Sequence, residues 1–369
     1  MSPNSEEREL RSEVAKDDDP YLCAMLLCHS QVFPAVVNAA IDINLFNIIA
    51  KAESSCDSTL SASQIASLFP NQHPQLANCL ERILPLLASY SLLDCSIRTN
   101  QDATRERVYS LSPVGKYFAF DTDGSSLASL ATVGHHGYHY LWTNVKDAIT
   151  KPNCNTHFEN VYGLPIYQYM ETNADLNHMF KIAMAQSSPI AMKRVIQSYK
   201  GFEGVSTLVD VGGGVGETLK LILSAYPSIK GINFDLPQMI QHALPHPGIE
   251  HIGGDMFKSV PNGGDAILLK TICHNWPDED CIKFLKNCRK VLPPHGKVIV
   301  LEYILPEVPT SSGISKFTFG VDNAMMLAHG AKERTANEFE ILCKNSGFSK
   351  FHLASDGISF TVGVMEFYK

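Results

Sequence analysis

The sequence predicts an α/β fold preceded by a helical region, and two observations carry this prediction. Between residues 21 and 93, apolar residues recur at helical spacing, as at Phe33, Val36 and Val37. After Gly204, short apolar runs alternate with helical segments, which indicates βαβ units and a parallel sheet. A chain of 369 residues is also long enough for two domains.

The composition is that of a soluble globular protein, with 45% hydrophobic and 18% charged residues. The 30 basic and 38 acidic residues give a net charge of -8, so we expect neither nucleic acid nor membrane as a partner. We find no signal peptide and no apolar stretch of about 20 residues. The ten cysteines include no Cys-x-x-Cys pair, which favours buried reduced thiols and a cytosolic protein. Residues 1–20 are predicted to form a disordered acidic tail.

The helical region is predicted to span residues 21–122. Residues 61–66 have the pattern of a capped short helix, and residues 75–93 that of a longer one. Residues 107–112 alternate like a strand. Helices followed by a small strand pair indicate a winged-helix-like domain.

A winged helix suggests DNA binding, but Arg82 is the only basic residue in the longer helix. The apolar helical surface instead favours packing against another subunit. Packing against the C-terminal half of the same chain is the alternative.

The α/β region is predicted to span residues 123–369. Its strands are expected at residues 206–211, 231–235, 265–270 and 297–302, where apolar residues are concentrated.

A glycine-rich loop follows the first of these strands, with the sequence Asp-Val-Gly-Gly-Gly-Val-Gly from Asp210 to Gly216. Glycines at a strand-to-helix turn let the backbone pass close under a ligand. Asp235 ends the next predicted strand 19 residues after Gly216, where a carboxylate can bind both ribose hydroxyls of an adenosine cofactor. The alternative is a structural turn beside a surface acid.

The spacing of the loop separates two classes of cofactor enzyme. A nicotinamide dehydrogenase needs the spacing G-x-G-x-x-G, whereas this chain has Glu217 at the place of the third glycine. Its G-x-G-x-G pattern resembles the loop of S-adenosylmethionine-dependent methyltransferases.

Five ordered motifs then identify a closer resemblance, at residues 208–216, 233–237, 253–257, 274–276 and 332–335. Together they resemble the plant small-molecule O-methyltransferases of the caffeic acid O-methyltransferase type, from about residue 20 to the C-terminus. The resemblance implies a Rossmann-like catalytic domain, an N-terminal dimerisation domain and a homodimer. It also implies S-adenosyl-L-methionine as cofactor and S-adenosyl-L-homocysteine as product.

The resemblance implies a set of cofactor-binding residues by matching position. They are Gly212, Gly214, Gly216, Asp235, Leu236, Asp255, Met256 and Lys270. For Asp255, which follows two glycines, a turn-capping role is the alternative.

The expected chemistry is transfer of a methyl group to a hydroxyl, which needs a base. His274 follows a strand that ends near Lys270, and a neutral imidazole accepts protons at cellular pH. The resemblance assigns Glu302 and Glu333 to orienting this imidazole. For Glu333, a salt bridge with the adjacent Lys332 and Arg334 is the alternative.

We expect no metal in this reaction. His135, His136 and His139 lie at a spacing that could suggest a metal site. The surrounding segment, residues 132–142, is also rich in aromatic residues and suits the wall of a pocket for a planar substrate. The resemblance likewise implies catalysis without a metal.

The predicted substrate pocket departs from the caffeate type. Its residues are Thr132, Val133, His136, Met184, Asn275 and Met326. Caffeate-type enzymes carry Asp at the position of Asn275, a Met-Asn pair at Thr132 and Val133, and an Asn-Pro-Gly-Gly segment where this chain has only Gly-Ala before Lys332.

We therefore expect a phenylpropanoid-type acceptor that binds differently from caffeate. A phenolic hydroxyl and the side-chain alcohol of a monolignol, as in coniferyl alcohol 9-O-methyltransferases, are both open. A flavonoid is a further alternative, and a nicotinamide oxidoreductase or a ligand-binding module are alternatives of a different class.

Overall fold

Residues 19–54, 59–70, 73–151, 156–357 and 362–369 are described by a computed structural model. The chain divides into two compact units, Met1–Gly137 and Tyr138–Lys369. The predicted domain bounds, 21–122 and 123–369, stay predictions. Of the predicted tail, all but its last two residues lie outside the described part of the chain.

The first unit is built from helices and three short strands. Its elements are α1 (Pro20–Cys28), α2 (Val32–Asp42), α3 (Leu45–Glu53), β1 (Leu60–Ser61), α4 (Ala62–Ser67), α5 (Leu76–Ser89), β2 (Leu93–Thr99), β3 (Arg105–Leu111), a 3₁₀ turn (Gly115–Phe118), α6 (Ala128–Thr132) and a π-helix (Val133–Gly137). The strands form an antiparallel sheet in the order β1-β3-β2. Helices with such a sheet form the predicted winged-helix-like arrangement.

The core of this unit comes from one face of each long helix. Leu80, Leu84 and Leu87 of α5 recur at helical spacing and are fully buried. The predicted short helix is confirmed as α4, where Ser61 and Gln64 form a capping box. The predicted longer helix was too long, because the chain leaves the helix after Ser89 and enters β2.

The second unit contains the predicted alternation of strands and helices. Its helices are α7 (His139–Thr143), α8 (Val145–Thr150), α9 (His157–Tyr162), α10 (Ile166–Thr172), α11 (Ala174–Ser198), α12 (Glu217–Ala225), α13 (Pro237–Ile240), α14 (Asp278–Val291), α15 (Gly313–His329) and α16 (Ala336–Asn345), with a 3₁₀ turn at Cys273–Asn275. Its strands are β4 (Thr207–Val211), β5 (Lys230–Asp235), β6 (Ile249–Gly253), β7 (Ala266–Lys270), β8 (Lys297–Glu302), β9 (Ile304–Leu305), β10 (Arg334–Thr335), β11 (Lys350–Ser355) and β12 (Gly363–Tyr368).

Seven of these strands form one mixed sheet in the order β11-β12-β8-β7-β4-β5-β6. The strands from β8 to β6 run parallel, and β12 is antiparallel to both β8 and β11. The four predicted strands are confirmed as β4, β5, β7 and β8. Because parallel strands end at the same edge, the residues that follow them gather there.

The cysteines follow the prediction only in part. None of the eight that the structure describes forms a disulfide with another described residue, but Cys23, Cys28, Cys79 and Cys95 are exposed. The remaining four described cysteines are buried in the second unit. The expectation of buried thiols is therefore wrong for the first unit.

Among the described helices, none is by itself long and apolar enough to cross a membrane, although α1 and α2, bent by 50° at their junction, pass the length and composition test as a pair.

Candidate active site

The glycine loop joins β4 to α12 in a backbone conformation that needs glycine. Gly212 and Gly216 have φ angles of +77° and +89°. A Cβ atom on Gly212 would lie only 2.3 Å from Cδ1 of Ile272. The loop is thereby kept thin at the carboxyl edge of the sheet, which is where α/β sheets bind ligands.

The carboxylate of Asp235 is fixed at the same edge. Its Oδ2 accepts a hydrogen bond from the Gly214 amide at 2.8 Å, and its Oδ1 accepts one from the Leu236 amide at 2.6 Å. The half-buried carboxylate is thus held beside the glycine loop. The predicted contact with a ribose stays a prediction.

Two polar side chains that were not among the predicted cofactor-binding residues lie beneath the loop. Asp210 and Asn233 are buried and stand opposite one another on β4 and β5. Asp210 Oδ2 and Asn233 Oδ1 have no hydrogen-bond partner among the described residues. A Cβ atom on Gly213 would lie within 2.6 Å of both oxygens. The available signal was an aspartate inside an otherwise apolar strand directly before the loop.

Asp210 and Lys270, both beneath the loop, affect each other's pKa. Burial raises the pKa of Asp210 to about 7, although the nearby Lys270 opposes this rise. Burial lowers the pKa of Lys270, against the attraction of Asp210 and Glu302. Lys270 Nζ also donates a hydrogen bond to Ser188 Oγ at 3.3 Å.

Asp255 follows β6 at the same edge and caps its own turn. Its Oδ1 accepts a hydrogen bond from the Phe257 amide at 2.9 Å, so the turn-capping alternative is realised for one oxygen. Its Oδ2 lies 3.7 Å from Nζ of the exposed Lys258. Met256 packs partly against the core through its side chain.

His274 lies on the 3₁₀ turn that follows β7. Its Nδ1 is 2.8 Å from Glu333 Oε1 and 3.8 Å from Glu302 Oε2. Because an ionised carboxylate only accepts hydrogen bonds, Nδ1 is the donor, and the Nε2 lone pair faces away from both acids. Nε2 has no hydrogen-bond partner within the described ranges.

Opposing effects set the pKa of His274. Burial lowers it, and the charge of Lys270 lowers it further. The charges of Glu302 and Glu333 and the hydrogen bond to Glu333 raise it, and together they prevail. The pKa of His274 is therefore raised above its ordinary value of 6.5. Burial also raises the pKa of Glu302.

The salt-bridge alternative for Glu333 is wrong. Lys332 Nζ lies 2.9 Å from Glu338 Oε1, and Arg334 lies 2.7 Å from Asp278 Oδ1. Both cations thus have other partners, and the fully buried Glu333 carboxylate contacts the imidazole.

Among the described residues, His274, Glu302 and Glu333 form the only group of three acidic, His or Cys side chains close enough to hold a metal ion.

The predicted substrate residues are divided between the two units. In the first unit, Thr132 ends α6, Val133 is buried and His136 Nε2 lies 3.3 Å from Asp42 Oδ2. His136 thus has an acidic partner within its own unit.

The other three predicted substrate residues belong to the second unit. Met184 and Met326 are 37% and 45% exposed, which leaves both side chains accessible to a ligand. Asn275 Nδ2 donates a hydrogen bond to the Thr271 carbonyl at 3.1 Å, so this donor is used locally.

These features fit a cofactor that carries adenosine. The loop leaves no room for a side chain at Gly212 or Gly213, Asp235 offers a fixed carboxylate at its rim, and Asp210 has an oxygen below it without a partner among the described residues. A base with a free nitrogen follows the neighbouring strand.

Comparison with known proteins supports the same conclusion. Residues 142–349 match the O-methyltransferase domain family, and residues 25–121 match the O-methyltransferase dimerisation domain. The chain is 45% identical to O-methyltransferase 13 of Lophophora williamsii, covering 100% of this chain and 99% of that protein. It is 44% identical to the caffeic acid 3-O-methyltransferase of Prunus dulcis, with 98% of both chains covered. It is 45% identical to a flavonoid 3'-O-methyltransferase of Chrysosplenium americanum, covering 94% and 98%.

Solved structures share the fold at lower identity. Human N-acetylserotonin methyltransferase in complex with S-adenosylmethionine has a TM-score of 0.74 at 20% identity, covering 96% of this chain and 99% of that chain. The calicheamicin methyltransferase CalO1, with S-adenosylhomocysteine bound, has a TM-score of 0.76 at 23% identity, covering 95% and 99%. The chain therefore belongs to the O-methyltransferase family and is an S-adenosylmethionine-dependent enzyme. The resemblance to the caffeic acid O-methyltransferase type is confirmed.

Proposed function

We propose that this enzyme methylates a hydroxyl of a phenylpropanoid-type small molecule, with His274 as the general base. One observation carries the proposal: a mostly buried imidazole holds Nδ1 against Glu333 and leaves Nε2 free at the edge of the sheet that bears the glycine loop. A base must come within hydrogen-bond distance of the proton it removes, and Nε2 is available for that contact.

The cofactor is held by residues at the carboxyl edge of the sheet. Gly212, Gly214 and Gly216 would face it and Asp235 would bind its ribose hydroxyls. Asp255 and Met256 would flank its adenine, Lys270 would lie near it, and Leu236 would be a further contact. When bound, S-adenosylmethionine provides a methyl group on a positively charged sulfur that the acceptor oxygen displaces in line. Holding the cofactor and the acceptor in one pocket can lower the activation barrier by roughly 7 to 11 kcal/mol.

The residues around His274 control its proton. Glu333 accepts a hydrogen bond from Nδ1–H, which directs the basic lone pair of Nε2 towards the acceptor. Glu302 fixes the turn, because its Oε1 accepts hydrogen bonds from the Ile272 and Cys273 amides at 2.9 and 2.6 Å. Both acids also stabilise the imidazolium that forms when the hydroxyl proton is taken up.

We propose a flat acceptor that contacts Met184, Met326 and Asn275 of the second unit. The substrate contacts predicted for Thr132, Val133 and His136 of the first unit stay predictions. The relatives are named for caffeic acid and for a flavonoid, which supports a phenolic acceptor. A phenol ionises near pH 10, so His274 removes its proton more readily than that of an aliphatic alcohol. A monolignol side-chain alcohol is the second candidate, because Asn275 stands where caffeate-type enzymes carry an acid.

We also propose that the active molecule is a homodimer that works in the cytosol. The matched dimerisation domain and the exposed apolar face of α1, which carries Tyr21, Leu26 and Leu27, support the dimer. The lack of disulfides among the described cysteines favours a reducing compartment.

We propose that the triad works without a metal. The 2.8 Å separation of Nδ1 and Glu333 Oε1 is a hydrogen bond, and a bound metal would require Nδ1 to be deprotonated. We expect dialysis against EDTA to leave the turnover number unchanged. Loss of activity that added zinc or magnesium restores would contradict this part of the proposal.

Labelled S-adenosylmethionine tests the function directly. We would offer it to the enzyme with caffeic acid, coniferyl alcohol and a flavonoid, and locate the labelled oxygen by mass spectrometry. We expect label on one phenylpropanoid hydroxyl, and a loss of about 10² to 10⁴-fold in turnover for His274→Gln with unchanged affinity for S-adenosylhomocysteine. Full activity of His274→Gln would contradict the role of the base, and label in none of these acceptors would contradict the substrate class.

A further inference from the structure

Arg334 makes contacts that lead directly to the turn bearing His274. Its side chain is fully buried. NH1 donates a hydrogen bond to the Cys273 carbonyl at 2.8 Å, and NH2 donates one to the Trp276 carbonyl at 2.7 Å. These two carbonyls belong to the residues on either side of the His274–Asn275 pair.

The guanidinium is itself fixed from its other side. Nε and NH2 donate hydrogen bonds to Asp278 Oδ1 at 3.0 and 2.7 Å. Asp278 is the first residue of α14, where a carboxylate also interacts favourably with the helix dipole. Arg334 therefore joins the His274 turn to the start of a helix.

The turn is thus held at both ends by different elements. Glu302, at the end of β8, accepts hydrogen bonds from the amides of Ile272 and Cys273. Arg334 donates hydrogen bonds to carbonyls at Cys273 and Trp276. A three-residue 3₁₀ turn has few internal hydrogen bonds of its own, so these outside contacts fix its position.

A short strand pair, β9 with β10, lies close in sequence to the two carboxylates near the imidazole. Strands β9 and β10 run parallel, with Arg334 opposite Ile304. Glu302 lies two residues before Ile304, and Glu333 lies one residue before Arg334. This short strand pair therefore places Glu333 and Arg334 beside the segment that follows Glu302.

We propose that Arg334 is a positioning residue that holds the backbone of the His274 turn so that the imidazole meets Glu333 and the acceptor hydroxyl. The proposal rests on the proposed role of His274 as the base. Lysine cannot substitute, because one ammonium group cannot direct hydrogen bonds to two carbonyls and a carboxylate from the planar fork that arginine provides.

A loosened turn has a measurable consequence at His274. The acids that raise the pKa of His274 act only while the ring stays close to them. In Arg334→Lys we expect the pKa of His274 to fall towards or below its ordinary value. We also expect kcat to fall by up to about 100-fold, because a small misplacement of a catalytic group has an effect of that order. KM for S-adenosylmethionine should stay within a few-fold.

The pKa of the imidazole is best followed by NMR on the full-length enzyme, with the signal assigned by its absence in His274→Asn. Arg289→Lys is the matched control, since it makes the same change on α14 outside this network, and we expect no change in either measurement. Asp278→Asn is the second variant, because its half-exposed side chain tolerates replacement. Asp278→Asn should also lower the pKa of His274, by a smaller amount than Arg334→Lys does.

An unchanged pKa of His274 and an unchanged kcat in Arg334→Lys would overturn the proposal. If that variant does not fold, an unchanged pKa in Asp278→Asn would overturn it instead. The NMR titration needs no acceptor, so a wild-type enzyme that methylates no phenylpropanoid would contradict the proposed function and leave the test of Arg334 decisive.

Discussion

At the residue scale, the pKa of His274 depends on a balance between burial, which lowers it, and two nearby acids, which raise it. Burial alone would keep the imidazole neutral, whereas Glu302 and Glu333 favour its protonated form. A base must be neutral to accept a proton, so turnover should rise with pH through the pKa of His274. Because that pKa is raised, the acid limb of the pH profile should lie above 6.5.

Removing one of the two acids beside His274 should shift the acid limb of the pH profile. In Glu333→Gln, we expect the acid limb of kcat/KM to shift to lower pH, because a charge that stabilises the imidazolium is lost. We expect the plateau to fall by roughly 10- to 100-fold, less than the full contribution of a general base. Glu307→Gln, at an exposed position five residues after Glu302, is the control. A limb that stays in place in Glu333→Gln would contradict the assigned balance.

Asp235 gives a second residue-scale prediction. We expect Asp235→Asn to weaken binding of S-adenosylhomocysteine by about 1.5 to 3 kcal/mol, roughly 10- to 150-fold, because charged hydrogen bonds to the ribose are lost. Isothermal titration calorimetry measures this change. Glu250→Gln on β6 has an exposed side chain and should bind as the wild type does. Equal affinity of Asp235→Asn and wild type would remove the ribose contact from the account.

At the element scale, the parallel strands were predictable and several other elements were not. Strands β4, β7 and β8 are mostly buried and mostly apolar, so their sequences stand out. Strand β2 is mostly exposed, and β6 is only partly buried, so neither shows a clear apolar pattern. Strand β12 is buried, but Glu366 interrupts its apolar run.

The candidate site was predictable to a similar degree. The rule that ligands bind at the ends of parallel strands, together with the family motifs, led to His274, Glu302 and Glu333, and the structure brings these three side chains together. Their catalytic roles stay predictions. The contacts of Arg334 were not predictable, because they run to backbone carbonyls and leave no pattern in the sequence.

Glu366 shows why a charged residue can interrupt a buried strand. Its carboxylate accepts hydrogen bonds from Tyr199, Lys297, His352 and Tyr368, which lie on α11's C-cap and on β8, β11 and β12. Burial would raise the pKa of Glu366, but these donors together lower it to about 2. The carboxylate therefore joins three strands at one end of the sheet.

This cluster predicts a pH-dependent contribution to stability. The folded pKa of Glu366 is depressed below its ordinary value of 4.5, so the contribution is present above about pH 4.5 and is lost as pH falls towards 2. We expect Glu366→Gln to lower the free energy of unfolding in urea at pH 7, and the difference from wild type to narrow below pH 4.5. Glu340→Gln on α16 is the control, and a constant difference between pH 7 and pH 3 would contradict the prediction.

At the scale of the whole molecule, helix α1 presents apolar side chains, none of which is buried by the part of the chain that the structure describes. Leu27 is 75% exposed, and Tyr21 is 72% exposed. A surface of this kind usually marks an interface, and it lies next to and within the matched dimerisation domain. We therefore place part of the proposed dimer contact here.

We expect Leu27→Lys to weaken the dimer by at least about tenfold, because it places a charge where the proposed dimer would bury a leucine. Sedimentation equilibrium measures the dissociation constant, and circular dichroism confirms that the fold is retained. Leu244→Lys, at a leucine that is 71% exposed in the second unit, is the matched control. Equal dissociation constants for both variants and wild type would exclude α1 from the interface.

We propose that the glycine loop after Asp210 seats the cofactor within reach of His274. A crystal structure of the enzyme with S-adenosylhomocysteine and a methylatable acceptor tests it most directly. We predict the ribose on Asp235 and His274 Nε2 within about 3 Å of the acceptor oxygen. An adenosine bound elsewhere, or an imidazole whose Nε2 faces away from that oxygen, would contradict the account.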